Sequence, residues 1–266
     1  MGRTLTSMTD VLASEPALFF LVVVLVLSLL ALWGGYVYAA RPRDKDTDRD
    51  ENAFGLGQTA IFGLIVLILA FSFSFAAERF EARRALVVQE ADAIGSAYAH
   101  MDFLPVARRT IEQTLMHDYA AARVGALSET TYAWDDGPNT KRARAIHERL
   151  WEMASADVRS DPHNVAYLSL AETVDKMGDI TDFQTAAINN HVPAPILGIV
   201  VLCTFVGAGL LGLTFGRVRS PNRALSLIFC VIFAATVFTI VDLDHPKGGL
   251  LKIDVAPMQN VLDDMK

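Results

Sequence analysis

Apolar residues are bunched along this chain rather than spread through it. Four stretches hold no Asp, Glu, Lys or Arg: Ala17–Ala40, Ala53–Ala77, Val192–Gly216 and Ala224–Val241, of 24, 25, 25 and 18 residues. A bilayer core asks for about 20 consecutive apolar residues in a helix, so each stretch predicts a membrane span. The spans fall near residues 17–39, 54–77, 193–216 and 223–242. Between them lie an almost wholly charged loop, Arg41–Asn52, a seven-residue turn, Arg217–Arg223, and a polar segment of 114 residues, Glu78–His191. The expected fold is all-α, a polytopic membrane protein with four transmembrane helices and a helical soluble domain between the second and third. Its parts are residues 1–77, the soluble domain 78–191, the span pair 192–242 and a C-terminal tail 243–266.

The polar segment shows no sustained β alternation and reads as helical throughout. Glu78–Tyr98 follows the second span without a proline, so that span is expected to continue into water as one long helix. Pro105 can open the next helix, with Ile111, Leu115 and Tyr119 at i, i+4 and i+8. Asp135-Asp136-Gly137-Pro138 breaks the chain, and Thr140 is placed to cap a third helix with Ile146, Leu150 and Met153 on one face. Asp161-Pro162 pairs an N-cap residue with proline at the first helical position and predicts a fourth, facing inward through Leu170, Val174 and Met177.

Composition narrows the function classes. Hydrophobic residues make up 52 % and charged ones 20 %, and the concentration of the apolar ones in four charge-free stretches of span length excludes a soluble enzyme, a secreted disulfide scaffold and a disordered chain. A net charge of −7 argues against nucleic acid as a partner. The two cysteines, Cys203 and Cys230, lie inside apolar stretches and read as buried hydrophobes. Lys and Arg near span ends number seven on each side, so charge leaves the orientation open, with the short loops mildly favoured inside. The partner expected from the spans themselves is membrane lipid.

Catalytic and cofactor motifs are missing. The six histidines are scattered singly, and His147-Glu148-Arg149-Leu150-Trp151 lacks the second histidine of a zinc hydrolase helix. No metal, catalytic residue or cofactor is expected. Gly207-Ala208-Gly209-Leu210-Leu211-Gly212 matches a dinucleotide fingerprint in letters only, because it sits mid-span. Gly207, Gly212 and Gly216 read instead as small residues that let helices approach closely. No charge lies in any span core, which argues against a proton-coupled pump or a voltage sensor.

The second span and its extension carry the informative pattern. One face follows Phe62, Val66, Leu69 or Ala70, Phe73 and Ala77. Such a stripe forms an apolar constriction if several copies surround an axis, and is ordinary packing or lipid contact otherwise. Beyond it, Arg79 and Arg83 lie one turn apart and could gather anions at a vestibule, or Glu81 could pair locally with Arg84.

The run FSFSFAAERFEARRALVVQEADAIGSAY resembles the bestrophin-like membrane proteins of bacteria and, more distantly, the bestrophins. Arg79, Phe80, Glu81, Ala82 and Arg83 match the family's R-x-x-EAR-like piece after its hydrophobic neck. Val192-Pro193-Ala194-Pro195 is similar to its P-x-P lead-in to the third span, and Asp242-Leu243-Asp244-His245-Pro246-Lys247-Gly248-Gly249 to its acidic exit from the fourth. The resemblance implies a homo-oligomer, pentameric in bestrophins, in the cell membrane with the helical domain in the cytosol. It also implies an ion path lined by second spans, with pore positions Phe62, Val66, Ala70, Phe73 and Ala77 and vestibule charges Arg79, Glu81 and Arg83. The acidic calcium clasp of animal bestrophins is absent from residues 243–266. The competing expectation is a non-conducting scaffold or sensor whose acidic helical domain binds a protein.

Overall fold

The computed structural model describes residues 15–41, 48–129, 137–218, 222–244 and 250–266. Among them every regular element is helical: α1 Glu15–Ala39, α2 Asp48–His100, a 3-10 turn Met101–Phe103, α3 Val106–Ser128, α4 Pro138–Ser160, α5 Val165–Asn189, α6 Ala194–Val218, α7 Arg223–Asp244 and α8 Ala256–Asp264. Four of them, α1, α2, α6 and α7, are long and apolar enough to cross a membrane. The chain forms two compact units, one of residues 1–78 with 191–251 and the other of residues 79–190 with 252–266.

In the first unit α1 lies along α6, and glycine decides how closely. A Cβ on Gly212 would overlap the Leu32 carbonyl, one on Gly216 the Tyr36 carbonyl, and one on Gly35 the Gly209 carbonyl. Backbone therefore meets backbone at three levels, as small-residue packing in lipid requires. Gly207 differs from its neighbours. A methyl there would make ordinary contact with Ile65, Phe229 and Phe233. Within lipid the hydroxyls have no water, and Ser28, Ser72 and Thr204 donate to the carbonyls of Val24, Ile68 and Val200 four residues back. Gln58 Nε2 donates to Thr214 Oγ1 at 2.6 Å, tying α2 to α6.

The second unit has a single core, centred on Ile94, Ala97, Met101, Met116, Leu150, Leu170 and Met177. Several helix starts along the chain differ from the expected ones by a few residues. The Asp48–Asn52 part of the charged loop is helical and opens α2, since acidic residues suit the positive end of a helix dipole. Pro138 rather than Thr140 begins α4, because proline's fixed φ and missing N–H fit the first position. Asn164, not Asp161, caps α5, its Oδ1 accepting from Ala166 N at 3.0 Å. Asp161 ends α4 and accepts from His163 N in a tight turn. Ile111 is 50 % exposed, and the buried face of α3 runs through Glu112, Met116, Tyr119 and Arg123 instead. Part of the expected tail is structural too. Met258, Val261, Leu262 and Met265 of the α8 segment pack on this core. The expected break at Asp135-Asp136, the turn proline Pro221 and the exit residues His245–Gly249 lie outside the described residues.

Candidate pore face and charged positions on the second helix

α2 runs 53 residues without interruption, about 80 Å at 1.5 Å per residue. Over its apolar half the helix carries three arcs. Ile65, Leu69, Ser72 and Ala76 are buried and form the seam that packs within the subunit. Leu69 therefore belongs to the seam, and of the two residues that could complete the candidate stripe only Ala70 is exposed. Val66 is 57 % and Phe73 43 % exposed, with Ala77 half-buried. Phe62 is half-buried too, its ring set edge-on against Phe229 of α7 at 5.9 Å. At about 100° per residue this stripe is centred roughly 90° from the seam. Leu64, Phe71 and Phe75 make a second exposed arc on the opposite flank.

The three charged positions past Ala77 have different fates. Glu81 is exposed and pairs with Arg84 at 3.6 Å. Arg79 is partly buried, and its Nε is enclosed without a hydrogen-bond partner among the described residues. Arg83 is only 2 % exposed. It donates from Nε to Ala187 O at 3.0 Å and from Nη2 to Asn190 O at 3.1 Å. A guanidinium on the last carbonyls of α5 both completes their hydrogen bonding and meets the negative end of the helix dipole. Arg83 is thus a buried cap on the end of α5. Its register explains why, since Ala76, Arg83, Val87, Glu90 and Ile94 continue the seam.

That seam leads to a polar cluster with no sequence motif. Glu90 is fully buried and bonded by Arg123 of α3 through Nε to Oε1 and through Nη2 to Oε2 at 3.1 Å. Gln184 of α5 accepts from Arg123 Nη2 at 2.6 Å and donates to Glu90 Oε2 at 2.8 Å. The Tyr119 hydroxyl adds a contact to Glu90 Oε1 at 3.4 Å, and burial pushes its ionisation well above the usual phenol range. A charged triad sits nearer the surface, where Arg108 bridges Glu112 and Asp157 at 2.9 Å each. Burial raises the Glu112 carboxyl above the usual range, against the hydrogen bond and charge of Arg108 that lower it.

The two short pieces flanking α6 and α7 meet in the first unit. Asp244 Oδ1 accepts from Val192 N at 2.9 Å, immediately before the proline pair that opens α6. Asp242 accepts from Leu250 N and Leu251 N at 2.8 and 2.9 Å. Both acids are buried and serve as anchors for backbone. Among the described residues no cluster of three His, Cys, Asp or Glu side chains could hold a metal ion.

Comparison with known proteins gives the family and the fold. Residues 21–258 match the Bestrophin-like domain. A crystal structure described as a membrane protein aligns with a TM-score of 0.68 at 14 % identity, over 93 % of this chain and 96 % of the other. A variant of a bacterial bestrophin homolog from Klebsiella pneumoniae aligns with a TM-score of 0.66 at 13 % identity, over 93 % and 97 %. A second variant of that homolog gives 0.64 at 14 %, over 94 % and 96 %. No curated protein matches the sequence.

Proposed function

This chain belongs to the bestrophin-like family, and from that premise we propose that it acts as an oligomeric ion channel whose conduction path lies on an axis between subunits. The observation that carries the proposal is the segregation of faces on α2. Ile65, Leu69, Ser72 and Ala76 are spent on the subunit's own packing, while Val66, Ala70 and Phe73 stay open along the same helix. Among the described residues the spans of one subunit offer no hydrophilic route, since Ser28, Ser72 and Thr204 are tied to their own backbone and Gln58 to Thr214. An ion path therefore requires several copies, and a pentamer is the number the family resemblance implies.

In that assembly Phe62, Val66, Ala70, Phe73 and Ala77 line a neck that gates by excluding water. Arg79 and Glu81 stand at its mouth, while Arg83 holds the α5 end that steadies the helix. Each subunit crosses the cell membrane four times, with residues 78–191 as a solvated cytosolic domain. The proposed activity is transport through a pore, without catalysis.

The test is a cysteine scan along α2, aided by the burial of both native thiols, Cys203 and Cys230. Cysteine at Val66, Ala70 or Phe73 is expected to let a charged thiol reagent block ion flux. Cysteine at Leu64, Phe71 or Phe75 is expected to leave flux unaltered after the same treatment. Block from both arcs alike would defeat the assignment of the face. A detergent-solubilised monomer without flux would favour the scaffold reading.

A further inference from the structure

Helices α3, α4 and α5 border a cavity of about 240 Å³ that opens to the surface of the second unit, remote in sequence from the neck positions. A buried water takes about 30 Å³ of liquid volume, so the space suits a small molecule rather than a single solvent. Its lining mixes polar with apolar surface, and two of its polar groups are incompletely paired. Arg123, 1 % exposed, lines it. Two of that guanidinium's nitrogens are committed to Glu90 and Gln184, and its Nη1 makes no hydrogen bond among the described residues. Thr140, 8 % exposed, also lines the cavity, and its hydroxyl likewise has no partner among the described residues. Gly178 keeps the space open, because a Cβ there would sit 2.8 Å from the His147 ring. His147 is in turn held by a hydrogen bond from Nε2 to Val174 O at 2.9 Å.

The charges of the lining discriminate among ligands. Arg144, Glu148 and Asp182 are exposed and form the rim, whereas Arg123 lies at the floor. A simple anion drawn to the floor meets a rim that is net negative, two carboxylates against the single guanidinium of Arg144. A simple cation drawn to the rim meets a guanidinium below it. A compact molecule carrying both charges satisfies each end. We propose that this cavity binds a small zwitterion of the amino-acid type, its carboxylate on Arg123 Nη1 and the Thr140 hydroxyl and its ammonium toward Asp182 and Glu148. The site is independent of the conduction reading and stands or falls without it.

The test uses the full chain in detergent micelles and ligand-observed NMR with glycine, L-alanine and L-serine. Acetate and ethylammonium, each carrying only one of the two charges, serve as controls. The amino acids are expected to bind and the two controls not to. Neutralising the exposed rim with Asp182→Asn and Glu148→Gln should weaken binding at least about tenfold, the worth of one charge-assisted hydrogen bond. Thr140→Val tests the interior and should weaken it as well, with unfolding temperature confirming that the fold is intact. No binding at about 10 mM, acetate binding as well as the amino acids, or rim variants that bind like the parent would each overturn the proposal.

Discussion

Cutting the Glu90–Arg123 pair tests the architecture of the second unit more sharply than any apolar truncation. Both side chains are buried, and Glu90 accepts from Arg123, Gln184 and Tyr119 together. Glu90→Leu leaves an uncompensated guanidinium in the core, and Arg123→Leu leaves a carboxylate. Breaking a buried pair by removing one partner costs about 3–5 kcal/mol. For a unit of this size each kcal/mol shifts Tm by about 3–6 °C, so either single variant should melt roughly 10 °C or more below the parent. The double variant Glu90→Leu/Arg123→Leu removes both charges and leaves only Gln184 and Tyr119 to find new partners. Its loss should fall short of the sum of the singles by about 2 kcal/mol or more. The assay is thermal unfolding of the purified full chain at a fixed scan rate. Two singles that melt within about 2 °C of the parent, or a double equal to their sum, would refute the view that the pair acts as one unit.

Arg83→Met removes two hydrogen bonds to the end of α5 and should cost about 1.5–3 kcal/mol in thermal unfolding. Glu81→Ala, at an exposed pair, should change it by less than about 0.5 kcal/mol. Gly212→Ala drives a methyl into the Leu32 carbonyl while Gly209→Ala only approaches Ala31 O at 3.8 Å, so size-exclusion profiles should show the first aggregating and the second monodisperse. Glu112 binds its proton more tightly folded than unfolded, so its ionisation destabilises at neutral pH. That penalty fades as pH falls through the raised value toward about 4.5. The Tm of the parent relative to Glu112→Gln should therefore climb on acidification, and a flat or falling difference would contradict the sign.

The spans were legible because lipid leaves little choice: charge-free runs of span length must satisfy their backbone internally, and helices do so. The continuation of α2 past Ala77 was legible for a related reason, the lack of any proline or turn signal before His100. Local starts were less so. Pro138 and Asn164 outcompeted Thr140 and Asp161 by margins that capping preferences alone do not separate. The deeper failure concerns buried charge. Arg83, Glu90, Glu112 and Arg123 are residue types assigned to the surface unless paired; the partners of Arg83, Glu90 and Arg123 lie on other helices, while Glu112 pairs with Arg108 one turn back on its own helix. Register held a clue, since Arg83 and Glu90 occupy the same periodic positions as Ala76, Val87 and Ile94. The spacing of Met258, Val261, Leu262 and Met265 is a further clue, an i, i+3, i+4, i+7 pattern within the C-terminal segment 243–266.

The channel account is tested most directly by ion flux through purified protein in liposomes, comparing the parent with Phe73→Ala and Val66→Ala. Both side chains are open along α2 in the single chain, and in the proposed neck each narrows and dries the path. The account predicts higher chloride, sodium or potassium flux in both variants than in the parent. Silence of all three proteins toward all three ions across a range of pH would contradict it.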